Sequence, residues 1–420
     1  MESELNFTKM QTPDGTKDYL PEEAKKKKYL EREIDSIFAR WGYEEVITPA
    51  IEFFAALSIG TGSELQQKMY KLFDRKGHIL ALRPEMTAPI ARLVANRLKE
   101  APRPLRLSYQ ANVFKYEAPQ AGRQREFYQA GIELIGAKEQ LADAEIAAIA
   151  VEVLQQVGLK NFSLDIGQID YFIGLMEEAD LTTEMKKKIR SKLNQKDFVG
   201  LERLVKETDL TARQRKALLT LPDLRGGREI IDRARELVDN QQSKSALDNL
   251  EKIYKNLELL GVADCINLDL NIIRGFNYYT GMVFEGYTQD LGFTICGGGR
   301  YDNLLEQFGA ASPATGFAVG IDRLLIALEN QGVELPIEEE RIFLLYEEDK
   351  KEAAINLAKD LRADDKKVAL EIIDRDLASS IDYASKSDWS RLVYLGSKEL
   401  IKDRDYELDT LCGQEVIRLK

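Results

Sequence analysis

Histidine is nearly absent from this chain of 420 residues, which holds a single one, His78. It falls in "DRKGH", a turn signal between two short apolar runs, and no second histidine exists to complete a metal pair or a proton relay. Histidine acid–base chemistry is therefore not expected. Cysteine is almost as scarce: Cys265, Cys296 and Cys412 are the only three, far apart and without the CxxC spacing of a metal or redox site. Neither disulfides nor zinc are expected, and the pattern fits a reducing compartment.

Long apolar runs are missing too. The opening "MESELNFTKMQTPDGTKDYL" lacks the apolar centre of a secretory leader, and no later run approaches the length that spans a bilayer. The chain therefore reads as cytoplasmic, with no membrane partner. Nor is there an excess of positive charge. The formal balance is −12 at pH 7, which opposes a broad polyanion-binding face.

What is present is enough apolar residue, 44% of the chain, to fill more than one core, and the length itself points to two domains. Pro21 opens a helical pattern, "PEEAKKKKYLEREIDSIFARWGY". Its lysine run, Lys25 to Lys28, follows Glu22 and Glu23 at the four-residue spacing of surface ion pairs, so a solvated face is expected rather than a nucleic-acid contact. The next segment, to about Leu98, reads strand, helix, hairpin, helix. Then "FKYEAPQAGRQREFYQAGIELIG", Phe114 to Gly136, is strand-like and offers cations, carboxylates and an amide together.

Residues from about Phe172 to Leu260 are rich in Lys, Glu, Leu and Ala. Their Thr-containing caps and helical periodicity predict a helical insertion. Strand character returns in "CINLDLNIIRGFNYYTGMVFEGYT" and "GFTICGGGRYDNLL", where β-branched and aromatic residues alternate. The domains expected are a core over 1–330, with the insertion at about 172–260, and a small α/β domain over 331–420. From Ile337 to Lys420 there are 15 basic and 21 acidic residues, the wrong sign for an RNA-binding module.

Two glycine-rich stretches, "CGGGRYDNLLEQFG" and "ATGFAVGIDRLLIAL", match neither a phosphate-binding Walker loop nor a GxGxxG dinucleotide turn. Taken alone, Gly316 and Gly320 permit close packing. Taken in order with "LRPEMT", the Phe114 stretch and "RGFNYYTG", they resemble the class II aminoacyl-tRNA synthetases, specifically the histidyl-tRNA synthetase lineage. The resemblance spans most of the first 330 residues. Within that lineage, "LRPEMTAPIARLVANRL", "REFYQAGIELIG" and "FSLDIGQIDYFIGLM" look closest to the regulatory subunits of ATP phosphoribosyltransferase, relatives that do not charge tRNA.

The resemblance implies an α+β fold: an antiparallel sheet core with helices, the helical insertion, and a C-terminal α/β domain similar to an anticodon-binding domain. It also implies a pocket with two halves. In the amino-acid half, Glu85, Thr87 and Gln129 would take an ammonium, Arg274 a carboxylate, and Glu133 with Tyr279 an imidazole, with Tyr278 and Tyr301 lining the same pocket. Each residue type suits its role. In the nucleotide half, to which Arg123 is also assigned, Glu117 and Arg323 persist, but Lys115 stands where the synthetase pattern has Arg, giving a point charge without the planar fork. Ala118 and Asn277 replace an expected Arg and Asp. No catalytic residue and no cofactor is assigned.

The resemblance, with this contrast between the two halves, implies a non-catalytic regulatory subunit with histidine as its allosteric ligand. Its implied partners are a short catalytic ATP phosphoribosyltransferase chain and a second copy of itself, as a dimer within a larger hetero-oligomer, without tRNA. Two alternatives stay open: a histidine–tRNA ligase, and an enzyme that adenylates an amino acid for another acceptor.

Overall fold

The computed structural model describes residues 10–117, 124–179, 181–273, 278–289, 291–337, 340–387 and 389–396, together with the backbone of 407–411 and 414–418. The chain forms two compact units, Met1–Leu335 and Pro336–Lys420.

The first unit is organised by a nine-stranded sheet. Its order is Glu44–Glu45, Leu105–Phe114, Glu126–Ile135, Ala314–Gly320, Cys296–Arg300, Met282–Thr288, Phe162–Gln168, Ile266–Asp269, Arg225–Gly226. The pairings are antiparallel except Glu44–Glu45 with Leu105–Phe114 and Phe162–Gln168 with Ile266–Asp269. Alternation along the strands separates two faces. Ile132, Leu134, Phe317, Val319, Phe284 and Ile166 point to one face and join a core built with the long helices. The opposite face carries Gln129, Glu133, Glu285 and Asp165, with glycines between them.

The helix Pro21–Arg40 shows why the sequence forms these elements. Pro21 sits in the first turn with Glu22 and Glu23, and the Glu23 side chain reaches back to the Leu20 N–H at 3.2 Å. Leu30, Ile34, Ile37 and Phe38 follow at helical spacing and are all buried. Each such side chain contributes about 1.5–3 kcal/mol on burial. Lys26 pairs with Glu22 at 3.2 Å, as the spacing predicts. Lys27 does not belong to the solvated face. It is buried, paired with Glu31, and its ammonium lies 3.0 Å from the centre of the Tyr128 ring. The helix turns this position toward the sheet, where an aromatic face replaces the water that Lys27 gives up.

The Phe114–Gly136 stretch also differs from the sequence expectation. It is not one strand: Leu105–Phe114 and Glu126–Ile135 pair antiparallel over ten residues, so Lys115 and Glu117 lie past a strand end and Gln129 and Glu133 within the next strand. Residues 118–123, with Ala118 and Arg123, lie outside the described residues.

Helices Ile169–Glu178, Thr183–Asn194, Phe198–Lys206, Ala212–Thr220, Glu229–Arg235 and Gln241–Leu259 occupy the inserted region. Thr182 and Thr211 cap two of them by accepting from Met185 N and Gln214 N at 3.2 Å. The region is not wholly helical, since Arg225–Gly226 returns to add an edge strand to the sheet. In the 71–82 hairpin, Asp74 accepts from the backbone of Lys76 and His78 and from His78 Nδ1, which leaves the histidine in an exposed turn.

The second unit has a sheet ordered Lys367–Leu370, Arg341–Tyr346, Arg391–Leu395, Gln414–Arg418, Glu407–Leu411. The first three strands are parallel and the last two form an antiparallel hairpin. Ile342 and Leu344 face one small core, Phe343 and Leu345 the other. Burial on both faces explains why "IFLL" is continuously apolar. Among the described residues no helix is long and apolar enough to cross a membrane, and no cluster of three metal-ligating side chains occurs.

Candidate ligand-binding site

The open face of the large sheet holds a cavity of about 220 Å³. Its floor is low because strand Cys296–Arg300 presents Gly297 and Gly299 to this face, beside Gly316 of the next strand. Gly316 pairs with Glu133, and a Cβ at residue 316 would come within 2.0 Å of Glu133 Oε2 and 2.4 Å of the Ile132 carbonyl. The close-packing role read for Gly316 is real, and what it packs against is the carboxylate of the site.

Glu133 is the centre of the polar half. It is 2% exposed; Oε1 accepts from Thr87 Oγ1 at 3.0 Å and Oε2 from the Tyr301 hydroxyl. Removal from water pushes its carboxyl up to about 8, against the two donors, and the nearby Glu85 charge adds to the rise. Glu85 is placed by the helix Thr87–Arg97: it accepts from Thr87 N at 2.6 Å and Ala88 N at 3.0 Å, spending its charge on the exposed amides of the helix start. Burial also raises its pKa.

Aromatic rings form one wall. The Tyr278 ring is edge-on to both Tyr279 and Tyr301, with centroids 5.2 and 5.7 Å away. Burial drives the hydroxyls of Tyr278, Tyr279 and Tyr301 well above their ordinary pKa, so all three remain donors at neutral pH.

The structure thus brings Glu85, Thr87, Gln129, Glu133, Tyr278, Tyr279 and Tyr301 to one cavity, with Lys115 and Arg323 on the same lining. Lys115 is half-buried, its ammonium 5.6 Å from the Phe127 ring centre. Desolvation lowers its pKa; Glu85 and Glu117 oppose this, and the Arg323 charge reinforces it. Arg323 donates to the Thr294 carbonyl at 2.8 Å and lies over Phe293. Glu117 is placed differently: it stands 3.6 Å from Lys68 and is not on the lining. Arg274 and Asn277 lie outside the described residues.

Sequence reasoning missed Tyr109, Phe127, Glu285 and Cys296, all on the lining. Tyr109 had a signal, since Leu107, Tyr109 and Ala111 alternate onto the face of Glu133. Glu285, a lone carboxylate inside "MVFEGYT", had another. Cys296 had none, and burial pushes its thiol up to about 12, which leaves it unreactive.

A histidyl-tRNA synthetase family model matches residues 15–324. The ATP phosphoribosyltransferase regulatory subunit of Desulforamulus reducens is 43% identical over 90% of this chain and 94% of its own. The chain belongs to the histidyl-tRNA synthetase family, among these regulatory subunits. The histidine–tRNA ligase of Methanocaldococcus jannaschii is also similar, 40% identical over 96% of each chain. A solved structure from Bacillus halodurans, described as an ATP phosphoribosyltransferase regulatory subunit/histidyl-tRNA synthetase, superposes with a TM-score of 0.84 at 35% identity, covering 93% of this chain and 99% of that one. The fold is that of the class II histidyl-tRNA synthetases.

Proposed function

We propose that this chain is the regulatory subunit of an ATP phosphoribosyltransferase, acting at the first step of histidine biosynthesis, and that it senses histidine in the cavity around Glu133. One contrast carries the reading: the side of the cavity suited to an amino acid has its carboxylates, amide and tyrosines gathered, while the phosphate side offers Lys115 where a synthetase would place an arginine fork. The ammonium of histidine would meet Glu85 and Gln129, and its imidazole would lie between Glu133 and Tyr279.

In this reading the chain catalyses nothing and uses no cofactor. A short partner chain condenses ATP with phosphoribosyl pyrophosphate, and histidine favours the less active state of the assembly with a coupling of about 1–3 kcal/mol. The chain pairs with a second copy in that cytoplasmic assembly. It does not bind tRNA, consistent with the 21 acidic against 15 basic residues from Ile337 onward.

The likeness to the ligase of Methanocaldococcus jannaschii favours a second reading, histidine–tRNA ligase. Calorimetry with histidine, beside histidine-dependent pyrophosphate exchange, separates the two. The regulatory reading expects saturable binding, weakened about tenfold or more by Glu133→Gln, and no exchange. Exchange supports the ligase; absence of binding, alone and with the partner chain, removes the sensing role.

A further inference from the structure

Residues 13–19, just ahead of the helix Pro21–Arg40, are mostly exposed, yet Gly15 and Tyr19 are half-buried and act as two anchors. At the first, the Gly15 carbonyl accepts from Arg125 N at 2.7 Å and Glu126 N at 3.2 Å, at the start of the strand that carries Gln129 and Glu133. The fit is close: Gly15 adopts φ +78°, and a Cβ there would come within 2.6 Å of Arg125 Cγ. Arg125 passes the contact on. Its carbonyl accepts from Lys115 N at 2.8 Å, and its Nε donates to the Glu117 carbonyl at 3.1 Å.

At the second anchor, the Tyr19 hydroxyl donates to Asp322 Oδ1, while Asp322 Oδ2 accepts from Tyr128 N at 2.9 Å. Asp322 is buried in the first turn of the helix Ile321–Asn330, so its oxygens need these donors. Burial and the Asp322 carboxylate drive the Tyr19 hydroxyl well above its ordinary pKa, which keeps it a donor at neutral pH. One carboxylate thus ties the N-terminal segment, a strand and a helix together. Arg323, next to Asp322, lines the first cavity with Lys115; Gly15 and Tyr19 are not on that lining. Beyond desolvation, the Arg323 charge lowers the Lys115 pKa, so the two cations repel each other. Each is carried by a segment that the N-terminal residues hold.

We propose that Gly15 and Tyr19 are positioning residues: residues 13–19 form a strap that holds Lys115, through Arg125, and Arg323, through Asp322, where both cations face the carboxylate of an amino-acid ligand. The strap touches no ligand. It acts by preorganisation, since cations already held near each other need no further ordering when the ligand arrives. Its effect on affinity rests on the histidine-sensing reading; its hold on the two segments does not.

The test joins hydrogen exchange to calorimetry on the full chain, with histidine and with histidinol, which lacks the carboxylate. Tyr19→Phe removes one hydroxyl and should speed amide exchange about three- to tenfold in residues 124–129 and 321–325, leaving the core helix Gln140–Gln156 unchanged. It should weaken histidine about three- to tenfold and leave histidinol affinity unchanged. Gly15→Ala, at the other anchor, should show the same selectivity. Equal weakening of the two ligands, or faster exchange in Gln140–Gln156 as well, would assign Tyr19 to stability alone and overturn the proposal. Unchanged exchange in both segments also overturns it. If the wild-type chain binds neither ligand, the sensing reading falls, and local exchange alone decides whether the strap holds.

Discussion

The hydroxyl of Tyr301 donates to the carboxylate of Glu133 from one side while Thr87 donates from the other. Both oxygens of a carboxyl that is 2% exposed are thereby held in place. The two donors come from "RPEMT" and "GGRYD", far apart in the chain, so the position of Glu133 depends on the completed sheet. Its titration should therefore report on folding and on the ligand together.

Burial raises Glu133 from the ordinary 4.5 to about 8. The native state then keeps a proton that the unfolded chain has lost between those values. Stability from this group is full below about 4.5 and is lost as pH rises through about 8, at about 1.4 kcal/mol per unit in between. Urea unfolding at roughly pH 5, 7 and 8.5 should show wild-type stability falling, with a shallower fall in Glu133→Gln. Some slope should remain, because Glu85 is raised by burial too. Equal slopes in the two proteins would contradict the assignment.

Gly316→Ala places a methyl within 2.0 Å of Glu133 Oε2 and 2.4 Å of the Ile132 carbonyl. Since one contact is backbone, relief requires strand movement, and a loss of about 1–3 kcal/mol is expected in chemical denaturation. Histidine affinity should fall as well. Unchanged stability would mean that the strands separate more easily than their register implies.

Behind the cavity, Arg300 Nε lies 3.0 Å from both oxygens of Asp143, which is 1% exposed. Arg300 also donates to Ala137 O and Asp302 Oδ1 at 3.1 Å, next to Tyr301 in sequence. Asp143→Ala leaves the buried Arg300 guanidinium with Asp302 as its remaining carboxylate partner and should cost about 3 kcal/mol, the low end for breaking a buried pair, whereas Asp143→Leu with Arg300→Met should recover most of it. Urea midpoints of the two variants measure the difference.

Lys27 lies over Tyr128 and pairs with Glu31. Lys27→Ala removes stem, charge and ring contact and should cost about 1–2 kcal/mol, while Lys27→Met keeps the stem and should cost less. Thermal unfolding of both compares packing with charge. An equal loss in the two would assign the effect to charge alone.

The sequence announced its helices where capping and period agreed, as at Pro21, Thr182 and Thr211. Glu85, Thr87 and Glu133 were legible because ordered motifs carried them. The end of one strand at Phe114 and the start of the next at Glu126 were not, since the stretch between them reads as more polar strand. Lys27 was missed because a run of four lysines hides which one a helix turns inward. Tyr109 and Glu285 needed the sheet order, which alone says which strands share a face. Arg225–Gly226 joins the sheet through a two-residue pairing too short to leave a pattern.

The most direct measurement is the activity of the short catalytic ATP phosphoribosyltransferase with and without this protein, across a histidine titration. The account predicts stimulation by this chain that histidine suppresses, with suppression shifted to about tenfold or more higher histidine by Glu133→Gln. No effect on the transferase, or stimulation indifferent to histidine, would contradict it.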